Sequence, residues 1–160
     1  MRLDHLMIMV RVLVSVCALL CCVRGAHGEG GAFGVGAMAG EPIGISAQVR
    51  LGAPRLGSAF NLAVGLQLLE DNALYAHGDY VVLLAELVRT PSLALSFYAG
   101  GGLFYRDTAG PRMGVRVPLG LQLDLRATRV HFFGESALRV SLVDELGAGV
   151  GGAVGVRYFF

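Results

Sequence analysis

The chain has 160 residues, of which 24 are glycine, and its 13 arginines nearly balance 12 carboxylates with no lysine present. This balance excludes the strongly basic surface that nucleic-acid binding requires. The three cysteines all lie within the first 22 residues, so we expect neither disulfides nor thiol chemistry in the rest of the chain.

Residues 1–28 have the features of an export signal. A short basic start precedes an apolar stretch, and Ala26-His27-Gly28 places small residues where a signal peptidase cleaves. We predict a signal peptide over residues 1–28 and one domain over residues 29–160.

A lipoprotein anchor is the alternative reading of this leader. Lipidation would use Cys21 or Cys22. The bulky Leu20 stands before Cys21 where a small residue is required, which disfavours lipidation.

The remaining chain alternates between apolar and small or polar residues with a period of two, which is typical of β-strands. Turn-forming residues interrupt this pattern at intervals. The predicted strands cover residues 31–40, 42–52, 57–69, 73–86, 92–105, 113–126, 129–142 and 147–160. Because every connection is short, we expect an antiparallel up-and-down arrangement.

The two faces of these strands differ in composition. From Val115 to Leu125 every odd position is Val or Leu, whereas the even positions hold Gly, Pro, Gln, Asp or Arg. A solvated second face would be crowded with Lys, Glu, Thr and Ser. Small residues with isolated charges instead fit the narrow lumen of a closed barrel whose aliphatic face contacts lipid. The alternative is a soluble exported β-protein with its aliphatic face inside.

The last strand ends on Gly155-Val156-Arg157-Tyr158-Phe159-Phe160. This ending resembles the assembly signal of bacterial outer-membrane β-barrels, with Gly155, Tyr158 and Phe160 at the matching positions. It departs from that signal at Ala153, where a polar residue is usual.

A wider resemblance covers residues 29–160 and is carried by Gly-rich segments. These segments are 40–46, 100–103, 114–121 and 155–160. On them the chain resembles small OmpA/OmpX-type eight-stranded outer-membrane barrels, and more closely the spirochaete-type outer-membrane barrels grouped as a domain of unknown function. The resemblance implies the bacterial outer membrane as location, outer-membrane lipid as surroundings, and the barrel-assembly machinery as a partner of the last strand.

We therefore predict an all-β fold, an eight-stranded antiparallel up-and-down transmembrane β-barrel preceded by a cleaved signal peptide. Closure removes edge strands, whose unpaired backbone groups are costly in hydrocarbon. The favoured function is an integral outer-membrane protein with a structural or surface-interaction role. An extracellular ligand would bind through short loops, of which residues 106–112 form the longest.

Nine polar residues on the small-residue face form the candidate site. They are Arg50, His77, Asp79, Arg116, Asp124, His131, Glu135, Arg139 and Arg157. We expect Arg–carboxylate pairs that plug the lumen, because eight strands leave little room inside a barrel. A narrow pore for ions or small solutes is the alternative.

Catalysis and metal binding have weaker support in the sequence. Ser136 belongs to the face opposite His131 and Glu135, which disfavours a lipid-modifying hydrolase. His77 and Asp79 share a face, but two ligands are too few for a zinc site. We predict no enzyme activity, no cofactor and no metal.

Aromatic residues concentrate near the ends of the predicted strands. Interface girdles of a membrane barrel would explain this placement. The predicted girdle residues are Phe60, Tyr75, Tyr80, Phe97, Tyr105, Phe132, Tyr158 and Phe160.

Overall fold

The computed structural model of the chain describes residues 31–51, 57–67, 73–107, 110–143 and 146–160. The expected signal peptide and most of the connections after the second and third strands lie outside these residues. Within the described ranges, no helix is long and apolar enough to cross a membrane.

Eight β-strands make up the fold. They are β1 (Phe33–Gly40), β2 (Ile43–Leu51), β3 (Ser58–Gln67), β4 (Ala73–Arg89), β5 (Leu93–Asp107), β6 (Pro111–Leu125), β7 (Val130–Ser141) and β8 (Gly147–Phe159). Each strand pairs antiparallel with the next, and β8 pairs with β1 from Gly34↔Phe159 to Gly40↔Ala153. The sheet therefore closes into an up-and-down barrel, which confirms the predicted all-β, eight-stranded architecture.

The hairpin between β4 and β5 is longer than predicted. β4 was expected to end at residue 86 but continues to Arg89, because only Thr90, Pro91 and Ser92 are needed for the turn. The Thr90 amide donates to the Leu93 carbonyl at 2.8 Å and closes the hairpin. Two register shifts interrupt this part of β4, one between Leu83 and Ala85 and one between Glu86 and Val88.

The barrel has an apolar exterior and a polar interior. On β6, Val117, Leu119 and Leu121 are 47%, 49% and 44% exposed, whereas Arg116 just before them is only 5% exposed. A soluble protein buries its aliphatic face and exposes its charges. The predicted orientation of the two faces is confirmed, and an arrangement with these leucines inside is contradicted.

Inward glycines make room for inward aromatic rings on neighbouring strands. A Cβ added to Gly120 would lie 2.4 Å from the Tyr98 ring, and one added to Gly155 would lie 2.5 Å from the Phe133 ring. Each glycine is the direct cross-strand partner of that aromatic residue. The small-residue face therefore packs densely, because large side chains lie over the positions that lack a Cβ.

Tyr75 corrects the predicted aromatic girdle. It was expected on the exterior but is 1% exposed, and its ring stacks on Phe104 with centroids 5.8 Å apart. Tyr75 has the same strand phase as His77 and Asp79, so it faces inward with them. Five other girdle residues are exposed on the exterior: Phe60, Tyr80, Phe132, Tyr158 and Phe160.

Candidate functional site in the lumen

The structure places all nine predicted polar residues on the inward face of the barrel. Two of them, Arg50 and Asp124, keep partly exposed side chains. The other seven side chains are almost completely buried: His77, Asp79, Arg116, His131, Glu135, Arg139 and Arg157. The contacts that they make divide them into four groups along the lumen.

The central group, which we call the central cluster, is built around Arg116. Its Nη2 donates to Glu135 Oε1 at 2.5 Å, and its Nη1 lies 3.2 Å from Asp79 Oδ2. The Tyr98 hydroxyl donates to Glu135 Oε2 at 2.8 Å. His77 completes the cluster with Nε2 at 3.6 Å from Asp79 Oδ2. One guanidinium therefore balances two buried carboxylates contributed by β4 and β7.

Gly102 gives the Asp79 carboxylate its space. Asp79 and Gly102 are direct cross-strand partners. A Cβ on Gly102 would lie 2.2 Å from Asp79 Oδ1 and 2.2 Å from the Gly78 carbonyl oxygen. This close approach explains why position 102, within the glycine run 100–102, has no side chain.

A second group lies at the barrel end where the chain enters β1 and leaves β8. Arg50 forms an ion pair with Asp124 across the lumen, and its Nη2 lies 3.3 Å from His131 Nδ1. The Arg50 guanidinium carbon lies 3.8 Å from the centroid of the Phe159 ring. His131 stacks on the same ring with centroids 5.5 Å apart. These contacts close this end of the lumen.

Arg157 forms the third group without a carboxylate among the described residues. It donates from Nε and Nη2 to Ser46 Oγ, at 3.0 and 2.7 Å. Its guanidinium carbon lies 3.8 Å from the Phe133 ring centroid. The expectation of an Arg–carboxylate pair is therefore wrong for Arg157, since a hydroxyl and an aromatic face take the place of the anion.

The fourth group lies at the opposite end, beside the turn between β1 and β2. Arg139 Nη2 lies 3.7 Å from Glu41 Oε2, and its guanidinium carbon lies 5.7 Å from the Tyr75 ring centroid. A small cavity of about 10 Å³ adjoins this group and is also lined by His77, Arg116 and Glu135. Such a volume holds about one water molecule.

Several interior residues were not among the predicted site residues. Two of them are Glu41, between β1 and β2, and Tyr98 on β5. Buried polar side chains also include Ser46, Gln48, Asn61, Gln67, Ser96 and Gln122. The sequence did indicate that these side chains face inward, because each lies an even number of positions from a small or charged inward residue on the same strand. Charge alone was the wrong criterion for the lumen.

The residues considered for catalysis lie on different sides of the barrel wall. Ser136 is exposed on the exterior, whereas His131 and the Glu135 side chain are buried inside. The expected separation of Ser136 from these two residues is confirmed. A hydroxyl on the far side of a β-sheet cannot be activated by that histidine.

The residues of the predicted assembly signal also divide between the two faces. Tyr158 and Phe160 are exposed on the exterior, and their rings meet edge to face with centroids 5.3 Å apart. Gly155 faces inward beneath Phe133. The last strand thus places two aromatic rings on the exterior of the barrel, and Gly155 leaves space in the lumen for the Phe133 ring.

Comparisons with known proteins give no further identification. No family model, curated protein or solved structure matches the chain.

Proposed function

We propose that the chain is an integral β-barrel of a bacterial outer membrane, exported through its N-terminal signal and inserted through its last strand. Its role is structural, or one of surface interaction, in the cell envelope, and its lumen is plugged. The observation that carries this proposal is the inverted distribution of side chains, with leucine and valine outside and arginine inside.

The exterior supports contact with lipid rather than water. Large exposed apolar side chains occur on each strand from β2 to β8, among them Ile45, Val64, Leu103 and Val154. A soluble monomer rarely exposes a contiguous apolar surface of more than a few hundred Å². The backbone also supports the proposal, because a closed barrel leaves no unpaired strand edge in hydrocarbon.

The interior supports a plug rather than a channel. Arg–carboxylate pairs, aromatic rings and amides fill the lumen, and the cavity beside Arg139 amounts to only about 10 Å³. An aqueous channel needs a wider barrel than eight strands provide. A narrow pore remains the second candidate function because the lumen is polar along its length.

Heat-modifiability tests the proposal. The chain is refolded from urea into detergent micelles and run on a denaturing gel with and without boiling. A folded membrane barrel migrates differently before and after boiling. A soluble barrel would fold in buffer without detergent and show no such shift, which would contradict the proposal.

A pair of matched arginine substitutions tests whether the exterior of the barrel contacts lipid or water. Leu119→Arg places a charge in the middle of the exterior of β6, and we expect it to destabilise the barrel in lipid vesicles by about 2–4 kcal/mol. Ser92→Arg, in the exposed turn between β4 and β5, is the control and should fold normally. Equal folding of the two variants would indicate that Leu119 faces water.

A further inference from the structure

Three side chains able to bind a metal meet in the central cluster. His77 and Asp79 come from the inward face of β4, and Glu135 reaches them from β7. One donor atom from each residue lies within 4.8 Å of the other two. β4 and β7 are not neighbours in the barrel, so this contact spans the lumen.

Asp79 lacks the hydrogen bonds that a buried carboxylate requires. It is 0% exposed, and within the described part of the chain neither Oδ1 nor Oδ2 accepts a hydrogen bond. Arg116 Nη1 lies within ion-pair distance of Asp79 but also makes no hydrogen bond. His77 Nδ1 is likewise buried without a hydrogen-bond partner among those residues. Unsatisfied groups of this kind are costly in a dry interior, and a bound cation would satisfy the carboxylate.

Glu135 is already held in position by its neighbours. Arg116 donates to its Oε1 and Tyr98 donates to its Oε2. A carboxylate has about four lone-pair positions, so each oxygen can still bind a cation. Outer hydrogen bonds of this kind orient the carboxylate ligands of metal sites. The cavity lined by His77 and Glu135 has room for about one water as a further ligand.

We propose that His77, Asp79 and Glu135 bind one divalent transition-metal ion. One imidazole nitrogen, two carboxylates and a water match the open tetrahedral pattern of zinc, whereas magnesium prefers oxygen ligands alone. The bound ion replaces Arg116 as the cation beside Asp79, and Arg116 stays paired with Glu135.

This proposal revises the expectation of no metal. His77 and Asp79 alone are too few ligands for a zinc site. The third ligand was invisible in the sequence because Glu135 lies on a distant strand and meets them only across the closed lumen. The proposal does not depend on whether the barrel lies in a membrane.

Calorimetric titration of the full, refolded chain with zinc chloride tests the site. The three N-terminal cysteines are first alkylated, because their thiols also bind zinc. We expect saturable binding of one zinc ion per chain, reversed by a chelator, and no comparable binding of magnesium.

Two variants assign the binding to this cluster. His77→Gln and Asp79→Asn keep side chains of similar size, and each should lower zinc affinity at least tenfold. His131→Gln is the matched control, because His131 is also buried in the lumen but belongs to the group around Arg50. Far-UV circular dichroism confirms that each variant folds.

Two results would overturn the metal site. The first is no saturable zinc binding by the folded parent chain. The second is binding that His77→Gln and Asp79→Asn leave unchanged. Either result would leave Arg116 as the sole counterion of the two carboxylates.

Discussion

In the middle of the lumen, the Arg116 guanidinium lies between the carboxylates of Asp79 and Glu135, and all three side chains are nearly inaccessible to solvent. Replacing Arg116 with Leu would leave two buried negative charges without their cation. Removal of one partner of a buried ion pair costs about 3–5 kcal/mol. We therefore expect Arg116→Leu to unfold at clearly lower urea concentration, as measured by circular dichroism.

Arg89→Leu is the control for this experiment. Arg89 pairs with Glu86 three residues earlier on the exposed end of β4. Exposed ion pairs contribute little to stability, so this variant should unfold at nearly the same urea concentration as the parent chain. If both variants unfolded alike, the central cluster would have no special role in holding the barrel together.

At the residue scale, the sequence predicted which side chains face inward but not which ones meet. The period of two placed Arg50 and Asp124 on the inner face correctly. It could not pair them, because their contact joins β2 and β6 across the closed lumen. Arg157 shows the same limit, since its partner Ser46 lies on a strand far away in the sequence. Such pairs depend on barrel closure and on strand register, and the local sequence pattern gives no information about either.

At the scale of the strands, inward glycines on one strand lie opposite inward aromatic rings on the neighbouring strand. Gly120→Ala would bring a Cβ to 2.4 Å from the Tyr98 ring, and the ring is confined by the wall of the lumen. Overpacking of this kind costs about 1–3 kcal/mol. We expect a corresponding loss of stability in urea unfolding.

Gly101→Ala provides the matched control within a strand. Gly101 faces the exterior, and a Cβ there would meet nothing within 4 Å. Alanine also restricts the unfolded chain more than glycine does. This variant should be as stable as the parent or slightly more stable. A loss equal to that of Gly120→Ala would mean that the contact with Tyr98 is not the cause.

The strands themselves were predictable, whereas some of their ends were not. Alternation and turn residues located all eight strands, because each strand has one aliphatic face and one small or polar face. The sequence predicts that β4 stops at residue 86. The structure continues the strand to Arg89 through two register shifts, and an irregular strand of this kind has no period to detect.

At the scale of the whole molecule, the packed lumen has a direct electrical consequence. Ion pairs occupy both ends and the centre, and the cavity beside Arg139 holds about one water. We predict no stepwise conductance when the purified chain is added to planar lipid bilayers. Steps that change in size in a Glu135→Gln variant would instead favour the narrow pore.

The architecture of the whole molecule followed from strand number, short connections and the composition of the two faces. The structure confirms the closed eight-stranded barrel and the outward direction of the aliphatic face. The surroundings of the barrel are determined by what the exposed leucines contact.

Spin labels at single cysteines test this contact directly, in a chain whose three native cysteines, Cys17, Cys21 and Cys22, are replaced by serine. The labels are placed at Leu119→Cys and Leu121→Cys on β6 and at Thr90→Cys in the exposed turn, and the chain is refolded into lipid vesicles. For each label we compare the collision rate with oxygen, which concentrates in lipid, and the collision rate with a water-soluble nickel chelate. We predict that oxygen reaches the labels at 119 and 121 far better than nickel does, and that the label at 90 shows the reverse. Nickel access at positions 119 and 121 equal to that at position 90 would contradict a lipid-facing exterior.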